Sequence, residues 1–329
     1  MTQAYRRRFL LASSALLAAP LVRAQGPALP LVGYISNASA DEMSHVAAAF
    51  RRGLAAEGFV EGKNVAIEFF WADGRADRLP GFAADLVRRH AAVIVATGGS
   101  PTWVPARAAT ATIPIVFSGG SDPVKHGLVA SLGHPGGNAT GVTSNSVELA
   151  AKRLQLLREL VPAAAVISVL VNVTKDLDAD EQVKGLQEAA RAIGQKIHIV
   201  NARGERDFDA AFANIVRKPA GALLIAPASF FLGKRAQLVA LAAKHAIPAC
   251  YAFSEYVDAG GLMSYGDKPA ERSRLTGVYA GRILKGTKPA DLPVLQPTAY
   301  ELAVNARTAK ALGLTIPHSV LVRADRVIE

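Results

Sequence analysis

Only one cysteine, Cys250, occurs among the 329 residues, which excludes an internal disulfide framework and a paired-cysteine zinc module. The chain also lacks the signatures of common catalytic sites: there is no Walker A loop, dinucleotide glycine fingerprint, nucleophile elbow or HExxH helix. Its seven histidines are scattered. Neither a metal site nor a cofactor is therefore expected, and an enzyme is not the expected class. Beyond the N-terminus, no segment supplies the roughly 20 uninterrupted apolar residues of a membrane span. Aromatic residues make up 6% and charged residues 19% of the chain, against 50% hydrophobic. That balance excludes a disordered chain and provides for a large core. At roughly 100–200 residues per domain, the length calls for about two domains.

What the chain has in excess is positive charge, a formal +10. Part of it belongs to the N-terminus, where Arg6, Arg7 and Arg8 precede the apolar stretch Phe9 to Val22 and the small-residue step Val22-Arg23-Ala24. This pattern reads as a secretory signal over residues 1–24. Arg6-Arg7-Arg8-Phe9-Leu10 fits the twin-arginine export pattern as well as the ordinary one, so both routes stay open. No cysteine lies near the cleavage step, so the expected product is soluble and not lipid-anchored. The remaining Lys and Arg residues stand singly or in short pairs such as Arg51-Arg52 and Arg88-Arg89. Without a basic stripe and interleaved aromatics, nucleic acid is not an expected partner.

After the leader, strand-like and helix-like segments alternate. Apolar runs such as Leu31 to Ile35, Ala92 to Ala96 and Ile113 to Phe117 read as strands buried on both faces, and amphipathic stretches such as Val46 to Glu57 and Leu79 to Arg89 separate them. A second series follows Thr143, with strands at Val166–Val171, Lys196–Val200, Ala222–Ile225 and Ile247–Tyr251 between helices. Near the end, Leu292–Gln296 and Ala299–Asn305 read as two extended segments around Pro297. The fold class is α/β, with two doubly wound parallel-sheet domains. Cys250, after Ile247-Pro248-Ala249, is expected to be a buried strand thiol.

Open α/β sheets bind ligands beyond the carboxyl ends of their strands. Small polar residues collect there in this sequence. Ser36 follows the first strand. Thr97-Gly98-Gly99-Ser100 follows the third, ahead of a helix whose first-turn proline and free N–H groups would suit a carboxylate. Asp122 follows the fourth strand in a glycine-rich loop and could take an ammonium group, although it is equally a turn residue. Asn172, Ser229 and Glu255 follow strands of the second series. Phe230, Phe231, Phe253 and Tyr256 could supply an apolar wall, and core packing explains them equally well. Two facing polar edges suit a small polar solute clamped by hinge closure. An exported enzyme using the cleft carboxylates, and a ligand-sensing partner of a signalling receptor, are the alternatives.

Beyond these local readings, long segments of the chain are similar to a known family. They include Phe50-Arg51-Arg52-Gly53-Leu54, Gly58 to Val65, Trp71 to Pro80, Thr112 to Phe117, Asp122-Pro123-Val124, Gly127 to Leu132, Pro135 to Gly141, Gly260 to Gly266, Pro289 to Pro293 and Thr308 to Leu314. The chain resembles the ABC transporter substrate-binding proteins related to the tryptophan-binding component, which have the type I periplasmic binding protein fold. The resemblance implies two lobes joined by about three crossovers, residues 30–143 plus 268–296 in the first and 144–267 plus 297–329 in the second. It implies a periplasmic, monomeric receptor that delivers a small solute, an amino acid or similar carboxylate-bearing metabolite, to an inner-membrane ABC permease and its ATPase. Carried over by position, Thr97, Gly98, Gly99 and Ser100 would hold the carboxylate and Asp122 and Glu255 the ammonium, with Asn172, Ser229 and Ser264 as further contacts. Leu295 departs from the family pattern, where glutamate is usual, and Tyr300 stands where many relatives have phenylalanine.

Overall fold

The computed structural model describes residues 28–144, 146–172, 179–218 and 221–329. The expected leader lies outside these residues. The first sheet contains β1 (Leu31–Ser36), β2 (Ala66–Trp71), β3 (Val93–Thr97), β4 (Ile115–Gly119) and β5 (Ala139–Thr143). All are parallel, in the order β2-β1-β3-β4-β5. β3 and β4 are buried along their whole length, which is why Val-Ile-Val-Ala-Thr and Ile-Val-Phe-Ser-Gly read as runs without alternation. Helices α1 (Ser44–Ala56), α2 (Leu79–Arg88) and α3 (Ser100–Ala109) connect the first four strands. One face of the sheet is covered by a cluster around Tyr34, Phe50 and Val95. The other is covered by a cluster around Leu86, Trp103 and Phe117.

The second sheet has seven strands: β6 (Val166–Val171), β7 (Lys196–Asn201), β8 (Ala222–Ile225), β9 (Ala249–Tyr251), β10 (Met263–Gly266), β11 (Glu301–Asn305) and β12 (Arg326–Ile328). Their order is β12-β11-β10-β9-β8-β6-β7, parallel throughout except for the β10–β11 pair. Helices α4 (Ser146–Leu160), α5 (Ala179–Ala192), α6 (Phe208–Arg217), α7 (Ser229–Gly233), α8 (Arg235–Lys244) and α9 (Ser254–Asp258) belong to this half. Leu154, Leu157 and Leu224 fill one side of the sheet, and Phe208, Phe212 and Phe231 the other. Cys250 is fully buried in β9, and burial pushes its thiol up to about 12.

The chain passes between the sheets after Thr143, after Gly266 and after Leu295. At the second passage α10 (Pro269–Leu284) runs back onto the first sheet and packs along α1. Glycines make this crossing close: a Cβ on Gly53 would collide with the Arg274 carbonyl, and one on Gly277 with the Phe50 carbonyl. Ser273 Oγ donates to the Val46 carbonyl at 2.9 Å inside the same contact. Outside it, Lys285 Nζ stands 2.7 Å from Glu57 and holds that carboxyl below the usual range. Residues 292–296, read from the sequence as an extended segment, form one isolated bridge, Val142 with Leu295. Leu295 N donates to the Gly141 carbonyl and its own carbonyl accepts from Thr143 N, both at 2.9 Å. The segment is thus a tether beside β5. Two short helices, α11 (Ala306–Ala311) and α12 (His318–Leu321), complete the C-terminal region.

The helix crossing gives a paired stability test. Helix propensity favours alanine over glycine by about 1 kcal/mol. Overpacking at a tight contact costs about 1–3 kcal/mol. Gly277→Ala is expected to lower the urea unfolding free energy, whereas Gly81→Ala in α2, where a Cβ meets nothing within 4 Å, is expected to leave it unchanged or raise it. Equal responses would remove the close crossing as a determinant of the fold.

Candidate ligand-binding cleft

The carboxyl ends of the two parallel sheets enclose a cavity of about 430 Å³. On the first-lobe side its wall comes from Ser36 and Asn37 at the end of β1, Thr97 to Pro101 at the end of β3, Ser118 to Val124 around the end of β4, and Thr143 and Ser144 at the end of β5. Asn172, Pro227 to Phe230 and Phe253 face them from the second lobe, and Arg153 enters from α4. Asp267, Arg272 and Ser273, at the start of the returning α10, complete the lining.

The turn after β3 has the conformation its glycines make accessible, with φ of 113° at Gly98 and 91° at Gly99. Its amides are occupied, however. Gly98 N and Gly99 N both donate to the Ser118 carbonyl, at 2.8 and 3.0 Å, and Ser100 N donates to Ser121 Oγ at 3.0 Å. Pro101 has no N–H. The free helix-start donors expected from the sequence are therefore spent on tying the turn to β4, and hydroxyls remain. Ser100 Oγ is buried and has no partner among the described residues, as is Asn37 Oδ1. Thr97 Oγ1 makes one long bond of 3.3 Å to the Ile35 carbonyl.

The other expected residues separate into two groups. Ser36, Asn172 and Ser229 line the cavity. Asn172 Nδ2 donates to the Ala202 carbonyl at 2.7 Å, and a Cβ on Gly98 would stand 2.8 Å from Ser229 Oγ across the cleft. Asp122 lines the cavity from an exposed position, where its Oδ1 accepts from Val124 N at 2.9 Å and Lys125 N at 3.1 Å. Glu255 and Ser264 are placed elsewhere. Glu255 lies in the first turn of α9 and faces His45 of the first lobe, 3.5 Å from its Nε2. Ser264 lies inside β10 and is fully buried within the sheet. Of the four aromatic candidates, Phe230 and Phe253 reach the cavity, while Phe231 and Tyr256 pack in the core below it.

Apart from Asp122, sequence reasoning missed the charged part of the lining. Arg153 is 2% exposed. Its Nε donates to the Tyr265 carbonyl at 2.7 Å, and burial pulls its guanidinium below the usual range, opposed by charges nearby that include Asp267. Asp267, 3% exposed, pairs with Arg272, whose guanidinium lies 5.7 Å from the Phe253 ring. A helical-period signal was present for Arg153: it occupies the stripe Leu149, Leu156, Leu157 and Leu160 on α4, where an arginine is out of place. Tyr34, a core residue by its strand position, also reaches the cavity, and burial raises its phenol.

The lobes touch around the cavity. Lys234 Nζ, in the second lobe, stands 3.3 Å from Glu42 of the first, and Arg235 donates to the Glu42 carbonyl at 3.2 Å. Met43 and Val46 join the apolar cluster of Phe230 and Phe231.

Two parallel-sheet lobes, linked by three strands of chain and facing each other across a polar cavity, define the class of two-lobed solute-binding proteins. The comparisons specify it further. A family model for ABC transporter substrate binding proteins matches residues 32–328, and the chain belongs to that family. A tyrosine-binding protein of Clostridioides difficile is 27% identical over 265 residues, 80% of this chain and 75% of that one. A conserved domain protein of Vibrio cholerae matches with a TM-score of 0.83 at 27% identity, over 91% of this chain and 99% of that chain. The ligand-free, open structure of a substrate-binding protein with adhesive properties from Clostridium difficile matches with a TM-score of 0.63 at 26% identity, over 91% and 99%. No helix among the described residues is long and apolar enough to cross a membrane.

The buried ion pair can be tested directly. Removing one partner of a buried pair leaves an uncompensated charge and costs about 3–5 kcal/mol. Asp267→Asn, which strands Arg272, is expected to lower unfolding stability by about 3 kcal/mol in denaturant titrations. A loss below about 1 kcal/mol, the range of exposed pairs, would show the pair to be solvated.

Proposed function

We propose that this protein is the periplasmic receptor of an ABC-type uptake transporter. It captures an amino acid or a similar carboxylate-bearing metabolite and passes it, as a monomer, to an inner-membrane permease with its ATPase. The observation that carries this reading is the cavity of about 430 Å³ set between two strand-end edges, a size suited to a small organic solute. A binding site of this kind needs shape and directed polar groups, and no covalent step. Ser36, Thr97, Ser100, Asn172 and Ser229 supply hydroxyls and an amide, Gly98 and Gly99 shape the turn, Phe230 and Phe253 supply apolar surface, and Asp122 stands at the rim for an ammonium group.

Hinge closure is part of the proposal. The chain superposes less well on the relative described as ligand-free and open than on the Vibrio cholerae protein, although identity and coverage are nearly the same. A rigid-body difference between lobes produces such a drop, and the contacts of Glu42 with Lys234 and Arg235 support a closed arrangement here. A solute bound to both lobes favours that arrangement by its differential contacts. The N-terminal signal pattern supports export.

The test is native mass spectrometry of protein purified without refolding, with the released compound identified and re-added. One unaltered small molecule per chain and a smaller radius of gyration on its addition are the expected results. A compound returned chemically changed, or a scattering profile indifferent to it, would contradict the receptor reading.

A further inference from the structure

The charges of the cavity do not balance on its inner wall. Four groups with formal charge line it among the described residues: Arg153, Arg272, Asp267 and Asp122. Asp122 is exposed and its carboxylate already accepts two backbone N–H groups of its own loop. Inside, one carboxylate serves two guanidiniums, and Asp267 is committed to Arg272. Arg153 is left with its Nε bonded to a neutral carbonyl, while its buried Nη1 has no hydrogen-bond partner among the described residues. An unpaired buried cation is costly, and a guanidinium fork matches a carboxylate.

We propose that Arg153 is the anchor for the carboxylate of the solute, which shifts that contact from the turn after β3 to the α4 wall of the second lobe. This assignment rests on the solute-receptor reading above and deepens it. It also accounts for the spent amides of the turn, since Thr97 and Ser100 then orient the ligand through hydroxyls and do not have to neutralise it. A neighbouring chamber of about 20 Å³, bounded by Arg153, Gln182 and Pro227, has room for about one water. A water there is the competing partner for Nη1.

The experiment presents the full chain with a defined mixture of the proteinogenic amino acids, their carboxamides and the corresponding deaminated acids, and reads retained compounds by native mass spectrometry and their affinities by calorimetry. Wild type is expected to retain free carboxylates and none of the amides. Arg153→Met is expected to lose about a hundredfold in affinity for the retained compound, and Arg153→Lys, which keeps charge without the fork, about tenfold. Ser100→Ala is expected to keep the preference for acid over amide. Binding by Arg153→Met within about threefold of wild type overturns the assignment and leaves the water as the partner. So does loss of the acid preference in Ser100→Ala alone. Should Arg153→Met not fold, an affinity of Arg153→Lys for the retained acid equal to that of wild type overturns it. Equal capture of acids and amides by wild type removes Arg153 while the receptor reading stands. Capture of nothing from the mixture overturns both.

Discussion

Where two helices cross at Gly53 and Gly277 decides how the rest of the molecule can be arranged. Because neither position carries a Cβ, α10 lies directly against the backbone of α1, so the chain that leaves the second sheet at Gly266 ends up on the first lobe. This passage carries Asp267, Arg272 and Ser273 over the cavity. Had α10 packed beside β10 on its own sheet, the way a simple β–α unit does, the first lobe would lack its cover on Tyr34 and Val95, and the cavity would lose its only buried carboxylate among the described residues. One steric concession between helices thus sets both the lobe connection and the charge of the site.

Most of the fold was legible because parallel strands buried on both faces leave an unmistakable trace. Val93 to Thr97 and Val166 to Val171 are near-continuous Val/Ile runs, and the structure places both as interior strands with a parallel partner on each side. Position along a strand also located Ser36, Thr97, Ser100, Asn172 and Ser229 at the cavity, since the end of a central strand faces the cleft whatever follows it. Glu255 did not follow that rule. β9 ends at Tyr251, and the short helix α9 turns the carboxylate away toward His45. Local sequence does not report that turn, because a helix of five residues has too few periods to register. Residues 292–296 are extended, as their sequence suggests, and what the sequence does not report is that they meet β5 through a single bridge.

Arg153 was hidden by composition. In a chain with 37 Lys and Arg residues, an arginine on an amphipathic helix is ordinarily a solvated face, and Lys152 beside it encourages that reading. Only the three- and four-residue spacing to Leu149, Leu156 and Leu157 separates them, placing Arg153 on the buried stripe. The turn after β3 shows the opposite error. Its residues were correctly located, yet its donors were counted as free when the neighbouring strand consumes them. Sequence gives the position of a polar group more readily than its hydrogen-bond ledger, because the ledger depends on Ser118 and Ser121, which arrive from another part of the chain.

These points bear on why capture and closure belong to one event in the proposed cycle. Apolar contact between Met43, Val46 and the phenylalanines of the second lobe would favour a closed arrangement whatever the cleft holds. Such contact alone would hold the cleft shut whether or not it was filled. An inner wall with one guanidinium short of a counter-charge would work against that, since closing removes water from a cation that has no carboxylate hydrogen-bonded to it. A carboxylate reverses the sign of the term: it removes the penalty on Arg153 and, in the same position, adds contacts to hydroxyls of the other lobe. The empty and filled clefts then differ in their balance by an electrostatic quantity that depends on the charge of the solute, whereas the apolar contact is common to both. Under the proposed assignment neutral hydroxyls would supply orientation, aromatic surface would supply general affinity, and the guanidinium would make closure conditional on the right cargo.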